Sequence, residues 1–171
     1  MSVLHVLADQ HRAIAHLFIA LSCEASRECR EHLSSRLAEE LIAHMAVEKA
    51  VFRPAVEQLL GEQRPDVHAA VRLELRRLLA TDPADPSFPE RVASARARFE
   101  EHVREEEELL FPRLERTVSR EQLDALAARV AKSRPPVWMV TPERRVLDAD
   151  DAISAGPSVE MPGVASNDAA R

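Results

Sequence analysis

The sequence predicts an all-α protein: a four-helix bundle with a short fifth helix and a disordered C-terminal tail. Its 171 residues include only three glycines, the first at position 61. The long stretches without glycine are rich in Ala, Leu, Glu and Arg, which lose least on entering a helix. Apolar residues recur three and four positions apart, as on one face of a helix. The length suits one domain with a substantial apolar core.

The first two helices are predicted to lie before and up to that first glycine. Helix A runs from about Ser2 to Glu28 and helix B from about Ser34 to Leu60, because each segment carries an apolar stripe at helical spacing. Gly61 suits the residue that commonly follows a helix C-terminus. The inner stripes comprise Leu4, Leu7, Ile14, Phe18 and Leu21 in helix A, and Leu37, Leu41, Val51, Ala55 and Leu59 in helix B.

Two more long helices and the short fifth helix follow. Helix C is predicted from about Pro65 to Ala80 and helix D from about Pro89 to Val118, with a proline-rich loop over Thr81 to Pro89. Ser119 followed by Gln122 has the spacing of a capping box and opens the fifth helix. The inner stripes comprise Val71, Leu75 and Leu78 in helix C, Val92, Ala95, Phe99 and Leu109 in helix D, and Leu123, Leu126 and Val130 in the fifth.

The composition changes abruptly at Arg134. The final 38 residues hold five prolines and two of the three glycines, without a sustained apolar period. Residues 134–171 are therefore predicted to be a disordered or loosely docked tail that follows a bundle domain of residues 1–133. The tail's one apolar cluster, Val137 to Val140 with Trp138, is interpreted as docking on the bundle, with a protein partner as the alternative.

Charge and cysteine usage exclude several classes of protein. The net charge of -6, with no block of Lys and Arg, argues against a nucleic-acid surface. Cys23 and Cys29 lie six residues apart on one predicted helix, which is neither a zinc spacing nor a disulfide framework. No apolar run approaches the roughly 18 residues that span a bilayer, and the N-terminus lacks the features of a signal peptide. We therefore expect a cytoplasmic protein that binds neither nucleic acid nor membrane.

Ionisable residues interrupt the inner stripes where the periodicity calls for apolar ones. They are His11 in helix A, His44 and Glu48 in helix B, His68 in helix C, and His102 and Glu106 in helix D. Burying such a group without a partner costs at least a few kcal/mol. Four imidazoles with two carboxylates form a suitable ligand set for a transition metal. A shared metal site is the simplest interpretation.

The spacing of these residues strengthens the metal interpretation. Each Glu follows a His by four residues, so both side chains lie on one helix face. A shift of 58 superimposes His44, Glu48, Val51, Phe52 and Pro54 on His102, Glu106, Leu109, Leu110 and Pro112, and a shift of 57 takes His11 to His68. Two hairpins that each supply two His and one Glu suit two ions rather than one.

These residues resemble the hemerythrin-like HHE cation-binding domains. The likeness covers about residues 3–115, and its best parts are the segments DQHRAIAHLF, HMAVEKAVFRP and HVREEEELLFPRL. It implies an antiparallel up-down-up-down bundle, the architecture of myohemerythrin, around two iron ions joined by an oxo or hydroxo bridge. The implied terminal ligands are His11, His44, His68 and His102, and the implied bridging carboxylates are Glu48 and Glu106. Zinc or manganese could occupy the same ligands, because affinity order alone does not select iron.

One position departs from the oxygen-carrying hemerythrins, which have a second His one turn after the first on helix C. This chain has Arg72 there, and arginine stays protonated and cannot ligate a metal. Two octahedral ions offer about twelve positions, of which the implied ligands and a bridging oxygen fill roughly ten. A site with more than one exchangeable position is less suited to reversible oxygen carriage. Our hypothesis is that Arg72 attracts or orients an anionic ligand such as peroxide.

The leading functional hypothesis is a di-iron protein that binds or senses oxygen, peroxide or nitric oxide at the open iron positions. A peroxide-decomposing or oxidase enzyme at the same centre is one alternative, and iron storage or buffering is another. Whether the protein is an enzyme is therefore left open by the sequence. His5, His16 and His32 lack a partner at ligand spacing and are expected at the surface, and the acidic run Glu105 to Glu108 is expected to be mostly a solvated face around Glu106.

Overall fold

The computed structural model describes residues 1–63 and 67–133. Its helical segments are α1 (Val3–Cys23), α2 (Arg27–Val47), α3 (Arg53–Leu60), α4 (His68–Leu79), α5 (Phe88–Arg104), α6 (Phe111–Thr117) and α7 (Arg120–Ser133). A first π-helical segment, Glu48–Phe52, joins α2 to α3, and a second, Glu105–Leu110, joins α5 to α6. Each of these two trios forms one continuous helical rod.

The predicted all-α bundle is confirmed. Helix α1, the α2–α3 rod, α4 and the α5–α6 rod form an up-down-up-down bundle, in which α1 packs on α2 and α5, and α4 packs on α5 and α2. Helix α7 packs on α1 and on the first π-helical segment. Within the described ranges, no helix combines the length and the apolar character needed to cross a membrane. The predicted tail, including Trp138, lies outside the described residues.

The turn between α1 and α2 differs from the prediction. Helix α1 ends at Cys23 and α2 begins at Arg27, well before the predicted start at Ser34. Glu24 Oε1 accepts the backbone N–H groups of Ala25 and Ser26, each at 2.7 Å, and Ser26 then caps α2. These local hydrogen bonds stabilise a tight turn where an apolar pattern alone gives no signal. The two cysteines consequently lie on different helices, and both are exposed thiols.

The π-helical segments change which side chains face the core. Arg53 donates its backbone N–H to the carbonyl of Glu48, and Phe111 donates to Glu106, so each bond spans five residues instead of four. The prolines that follow, Pro54 and Pro112, cannot donate a backbone hydrogen bond and crowd the preceding turn, which favours this wider turn.

Some residues predicted to point inward are therefore displaced by one position, although Val51 and Ala55 are buried as predicted. Leu109, predicted to point inward, is 69% exposed, and Leu110 is buried in its place. Leu59, also predicted inward, is 36% exposed, whereas the next residue, Leu60, is half-buried against the apolar core. A strict helical period cannot anticipate this extra residue.

Helix ends that were predicted from local signals are confirmed. Gly61 ends α3 with a left-handed backbone at φ 67°. Ser119 and Gln122 form the capping box: the Ser119 backbone N–H donates to Gln122 Oε1 at 3.0 Å, and the Gln122 N–H donates to Ser119 Oγ at 3.3 Å.

Two apolar clusters fill the bundle, one on each side of the polar layer. The α7-side cluster includes Leu7, Val47, Phe52, Leu114, Leu126 and Val130. The α4-side cluster includes Ile14, Phe18, Leu41, Leu75, Phe88 and Phe99. On α1 and on the α5–α6 rod, the buried His and Glu residues fall between members of the two clusters.

Candidate metal centre

All six residues predicted as ligands are buried in the centre of the bundle. The most exposed of them, Glu106, has only 7% of its surface accessible. They are His11 on α1, His44 on α2, Glu48 in the first π-helical segment, His68 on α4, His102 on α5 and Glu106 in the second π-helical segment. The polar layer therefore receives side chains from α1, α4 and both helical rods.

Glu48 lies among the four imidazoles and divides its two oxygens between them. Its Oε2 accepts a hydrogen bond from His68 Nε2 at 2.7 Å and lies 3.6 Å from His102 Nε2. Its Oε1 lies 3.2 Å from His44 Nε2 and 3.9 Å from His11 Nε2. One carboxylate thus faces two histidines with each oxygen.

The imidazoles form two close pairs. The ring centroids of His11 and His44 are 4.8 Å apart, and those of His68 and His102 are 5.0 Å apart. Glu106 Oε2 lies 3.6 Å from His11 Nε2. One donor atom each from His11, His44, Glu48 and His102 can be chosen so that all lie within 4.8 Å of one another.

Two further side chains orient the histidines from outside. Glu107 Oε1 lies 2.8 Å from His11 Nδ1, and Gln10 Oε1 lies 2.9 Å from His44 Nδ1. Since these oxygens can only accept, each Nδ1 carries the proton and each Nε2 presents its lone pair to the centre. Sequence reasoning missed both residues, although each directly adjoins a predicted ligand.

The expectation for the acidic run needs correction. Glu107 is half-buried against His11, and Glu105 lines a cavity beside the site, whereas Glu108 is exposed. The wide turn of the second π-helical segment brings successive glutamates toward the centre, so this run is not a solvated face around one inward member. His5, His16 and His32 are exposed, as predicted.

Several buried donor atoms have no hydrogen-bond partner among the described residues. In the polar layer they include the Nε2 atoms of His11, His44 and His102, together with Glu48 Oε1. A buried polar atom without a partner costs about 1–3 kcal/mol. Atoms of this kind that converge from different helices fit a cation, because nitrogen and oxygen donors of this set suit transition metals.

The protonation states of the buried histidines and of Glu48 are those that metal coordination requires. Burial lowers the pKa of His44 to about 3, and the neighbouring imidazoles act in the same direction while Glu48 opposes them. Burial likewise lowers the pKa of His102 to about 4. For Glu48, burial raises the pKa, but the surrounding imidazoles outweigh it and hold the pKa well below its usual range. At neutral pH, His44 and His102 are therefore unprotonated and Glu48 is ionised, as metal binding requires.

A cavity of about 30 Å³ lies beside the polar layer. It is lined by Glu48, Phe52, Arg53, Val56, Val67, His68, Glu105, Glu106 and Leu110. This volume accommodates a water or a diatomic molecule. Arg72 is half-buried and is not in the cavity wall, whereas Arg53, which sequence reasoning did not single out, is. The role hypothesised for Arg72 stays a prediction.

Comparison with known proteins agrees with this site. The model of the hemerythrin HHE cation-binding domain matches residues 2–114. A crystal structure of a hemerythrin HHE cation-binding domain-containing protein from Mycobacterium kansasii aligns with a TM-score of 0.64 and 26% identity, covering 78% of this chain and 88% of that chain.

A DNA nickase from Nostoc sp. is also similar. It is 28% identical over 140 residues, which cover 78% of this chain but 40% of the nickase. The chain therefore spans less than half the length of that relative. The family model, in contrast, covers most of the chain and all six buried ligand candidates. The chain belongs to the hemerythrin HHE cation-binding domain family.

Proposed function

We propose that the protein holds two iron ions in its polar layer and binds oxygen, peroxide or nitric oxide there. The observation that carries this proposal is the convergence of buried, unpartnered nitrogen and oxygen atoms beside a cavity of diatomic size. Iron, when bound, supplies open coordination positions and redox chemistry to a small ligand.

The two imidazole pairs support a site for two ions. In the proposal, His11 and His44 hold one ion and His68 and His102 hold the other. Glu48 faces the first pair with Oε1 and the second with Oε2, which suits a carboxylate that bridges both ions. Glu106, whose Oε2 lies near His11, is proposed as the second bridge.

The cavity supports a small ligand over a bulky substrate. Its walls include the apolar side chains of Phe52, Val56 and Leu110, and its small volume fits a diatomic molecule. Glu48 and His68 line the same cavity, so a ligand there would adjoin the proposed metal ligands. A fixed set of six buried ligands also favours a defined centre over an iron store.

Metal analysis of freshly purified protein, with absorption spectra before and after azide, tests the proposal. We expect about two irons per chain and an azide-dependent absorption band. The His44→Ala variant is expected to lose metal, whereas His16→Ala, which changes an exposed histidine, is expected to retain it. Zinc or manganese in place of iron, or a spectrum that azide does not change, would contradict the proposal.

Turnover separates the binding protein from the enzyme alternative. The iron-loaded protein is mixed with increasing peroxide, and the peroxide consumed per centre is measured. Consumption that stops near one equivalent supports a binding or sensing protein. Consumption of many equivalents supports the peroxide-decomposing enzyme instead.

Nucleic-acid binding does not enter the proposal. The nickase likeness covers 40% of that protein, and the sequence has a net charge of -6 without a block of Lys and Arg. That this chain binds no nucleic acid stays a prediction, as do its cytoplasmic location and the partner of residues 134–171.

A further inference from the structure

Two successive glutamates contact opposite nitrogens of one imidazole. Glu106 Oε2 lies 3.6 Å from His11 Nε2, and Glu107 Oε1 lies 2.8 Å from His11 Nδ1. Neighbouring residues of a regular helix point in clearly different directions. Both belong to the second π-helical segment, whose wider turn accommodates this arrangement. Phe111 stacks on the same ring, with 6.2 Å between centroids and 10° between planes.

The contacts that orient the imidazoles differ among three of the four histidines. His11 Nδ1 is held by a carboxylate, His44 Nδ1 by the neutral amide of Gln10, and His102 Nδ1 has no hydrogen-bond partner within the described ranges. The repeat does not supply a second copy of Glu107, because the equivalent position 58 residues earlier is the exposed Lys49. When Nδ1 donates to a charged acceptor, the opposite nitrogen becomes a stronger metal ligand than when Nδ1 donates to a neutral acceptor.

We propose that Glu107 is a positioning residue. It holds His11 in the tautomer with the proton on Nδ1, and it strengthens metal binding by the His11 and His44 pair relative to the His68 and His102 pair. The tautomer is a property of the metal-free chain. The difference between the two ions rests on the proposed function.

Imidazole nitrogen NMR of the metal-free protein tests the first part. The wild-type spectrum is expected to show His11 protonated on Nδ1. Glu107→Gln should keep this tautomer, because the amide oxygen can still accept, whereas Glu107→Ala should move the His11 proton toward Nε2. Glu108→Ala, which alters the exposed neighbour, is the matched control and should leave the spectrum unchanged. An unchanged His11 tautomer in Glu107→Ala would overturn the proposal.

Release of Zn²⁺ to a chelator tests the second part, with zinc used alone as the probe. The wild-type protein is expected to release zinc in two phases. Glu107→Ala should weaken retention in the slower phase by about 10–100-fold, Glu107→Gln by less, and Glu108→Ala not at all. Equal effects on both phases, or no effect on either, would contradict the proposal that Glu107 strengthens metal binding by the His11 and His44 pair. If the wild-type chain binds no metal, the proposed function fails while the tautomer result still stands.

Discussion

The two hairpins of the internal repeat have the same backbone pattern, but their carboxylates make different contacts. Glu48 and Glu106 each follow a His by four residues, precede a Pro by six, and accept the five-residue hydrogen bond of a π-helical segment. Yet Glu48 lies among four imidazoles and is 1% exposed, whereas Glu106 is 7% exposed. Equal spacing therefore places equivalent carboxylates in the layer, and the partners from α1 and α4 then decide what each contacts.

The cavity distinguishes the halves at some positions only, since Glu48 and Phe52 line it together with their equivalents Glu106 and Leu110. Val56 and Arg53 of the first half line it, but Leu114 and Phe111, their equivalents 58 residues later, do not. Leu114 is fully buried in the α7-side cluster, to which Val56 also belongs. The proposed ligand space thus lies on the side where His68 enters the layer. Substitutions at equivalent positions of the two halves test this difference.

The largest effect is expected from exchanging the two carboxylates for amides one at a time. Glu48→Gln should weaken metal binding by more than about 100-fold. Loss of a residue that only orients a metal ligand already lowers metal affinity by about 10–100-fold, and Glu48 is a proposed ligand that faces both imidazole pairs. Glu106→Gln should weaken metal binding by less, by about 100-fold, because Glu106 is a proposed ligand as well. Competition with a chelator and counting of bound metal measure both variants. Equal losses would show that the halves are equivalent.

Acid is expected to destabilise the metal-free protein through both halves. The folded pKa values of His44, about 3, and of His102, about 4, lie below the value of 6.5 for an unperturbed histidine. Between the unfolded value of 6.5 and these lower folded values, the unfolded chain binds more protons than the folded chain does. The free energy of unfolding therefore falls as the pH falls. From pH 7 to pH 5 the loss is about 2 kcal/mol for each histidine.

Urea unfolding at a series of pH values measures this loss. His16→Ala removes an exposed histidine and should leave the slope of stability against pH unchanged. Glu48, whose pKa is also lowered, adds a loss of the same sign below about pH 4.5. Stability that stays constant between pH 7 and pH 5 would mean that the imidazoles are not held neutral by burial.

The smallest effect is expected from filling the cavity. Val56→Ile adds one methylene group to its wall and should reduce azide or nitric oxide affinity about 10-fold, while the metal content stays unchanged. Leu114→Ile, a substitution of equal volume at the equivalent position, should leave affinity unchanged. Titrations followed by absorbance compare the two. If ligand affinity falls equally in both variants, the cavity is not the ligand space.

Sequence reasoning located the polar layer because each of its residues breaks an apolar stripe. His11 between Leu7 and Ile14 is visible in this way without any coordinates. Gln10 and Glu107 gave no such signal, since a polar residue beside a buried one is ordinary on a helix surface. Leu109 was misplaced because the extra residue of a π-helical segment depends on how the backbone accommodates Pro112.

The turn at Glu24 to Ser26 shows a second limit. Its conformation depends on side-chain oxygens that accept neighbouring N–H groups, and the residues after it continue a plausible helix pattern. Apolar periodicity reports which residues pack inside, and it does not report a short interruption whose residues are exposed. The capping box at Ser119 was predictable because both of its members are specific residue types at a fixed spacing.

The separation of the apolar interior into two clusters has a consequence for engineering. Side chains such as Phe18 and Leu126 belong to different clusters, and among the described residues the two clusters have no apolar member in common. Changes in free energy at sites without shared partners tend to be additive. Either end of the bundle can therefore be redesigned for thermostability on its own, with the chemistry of the middle left as it is.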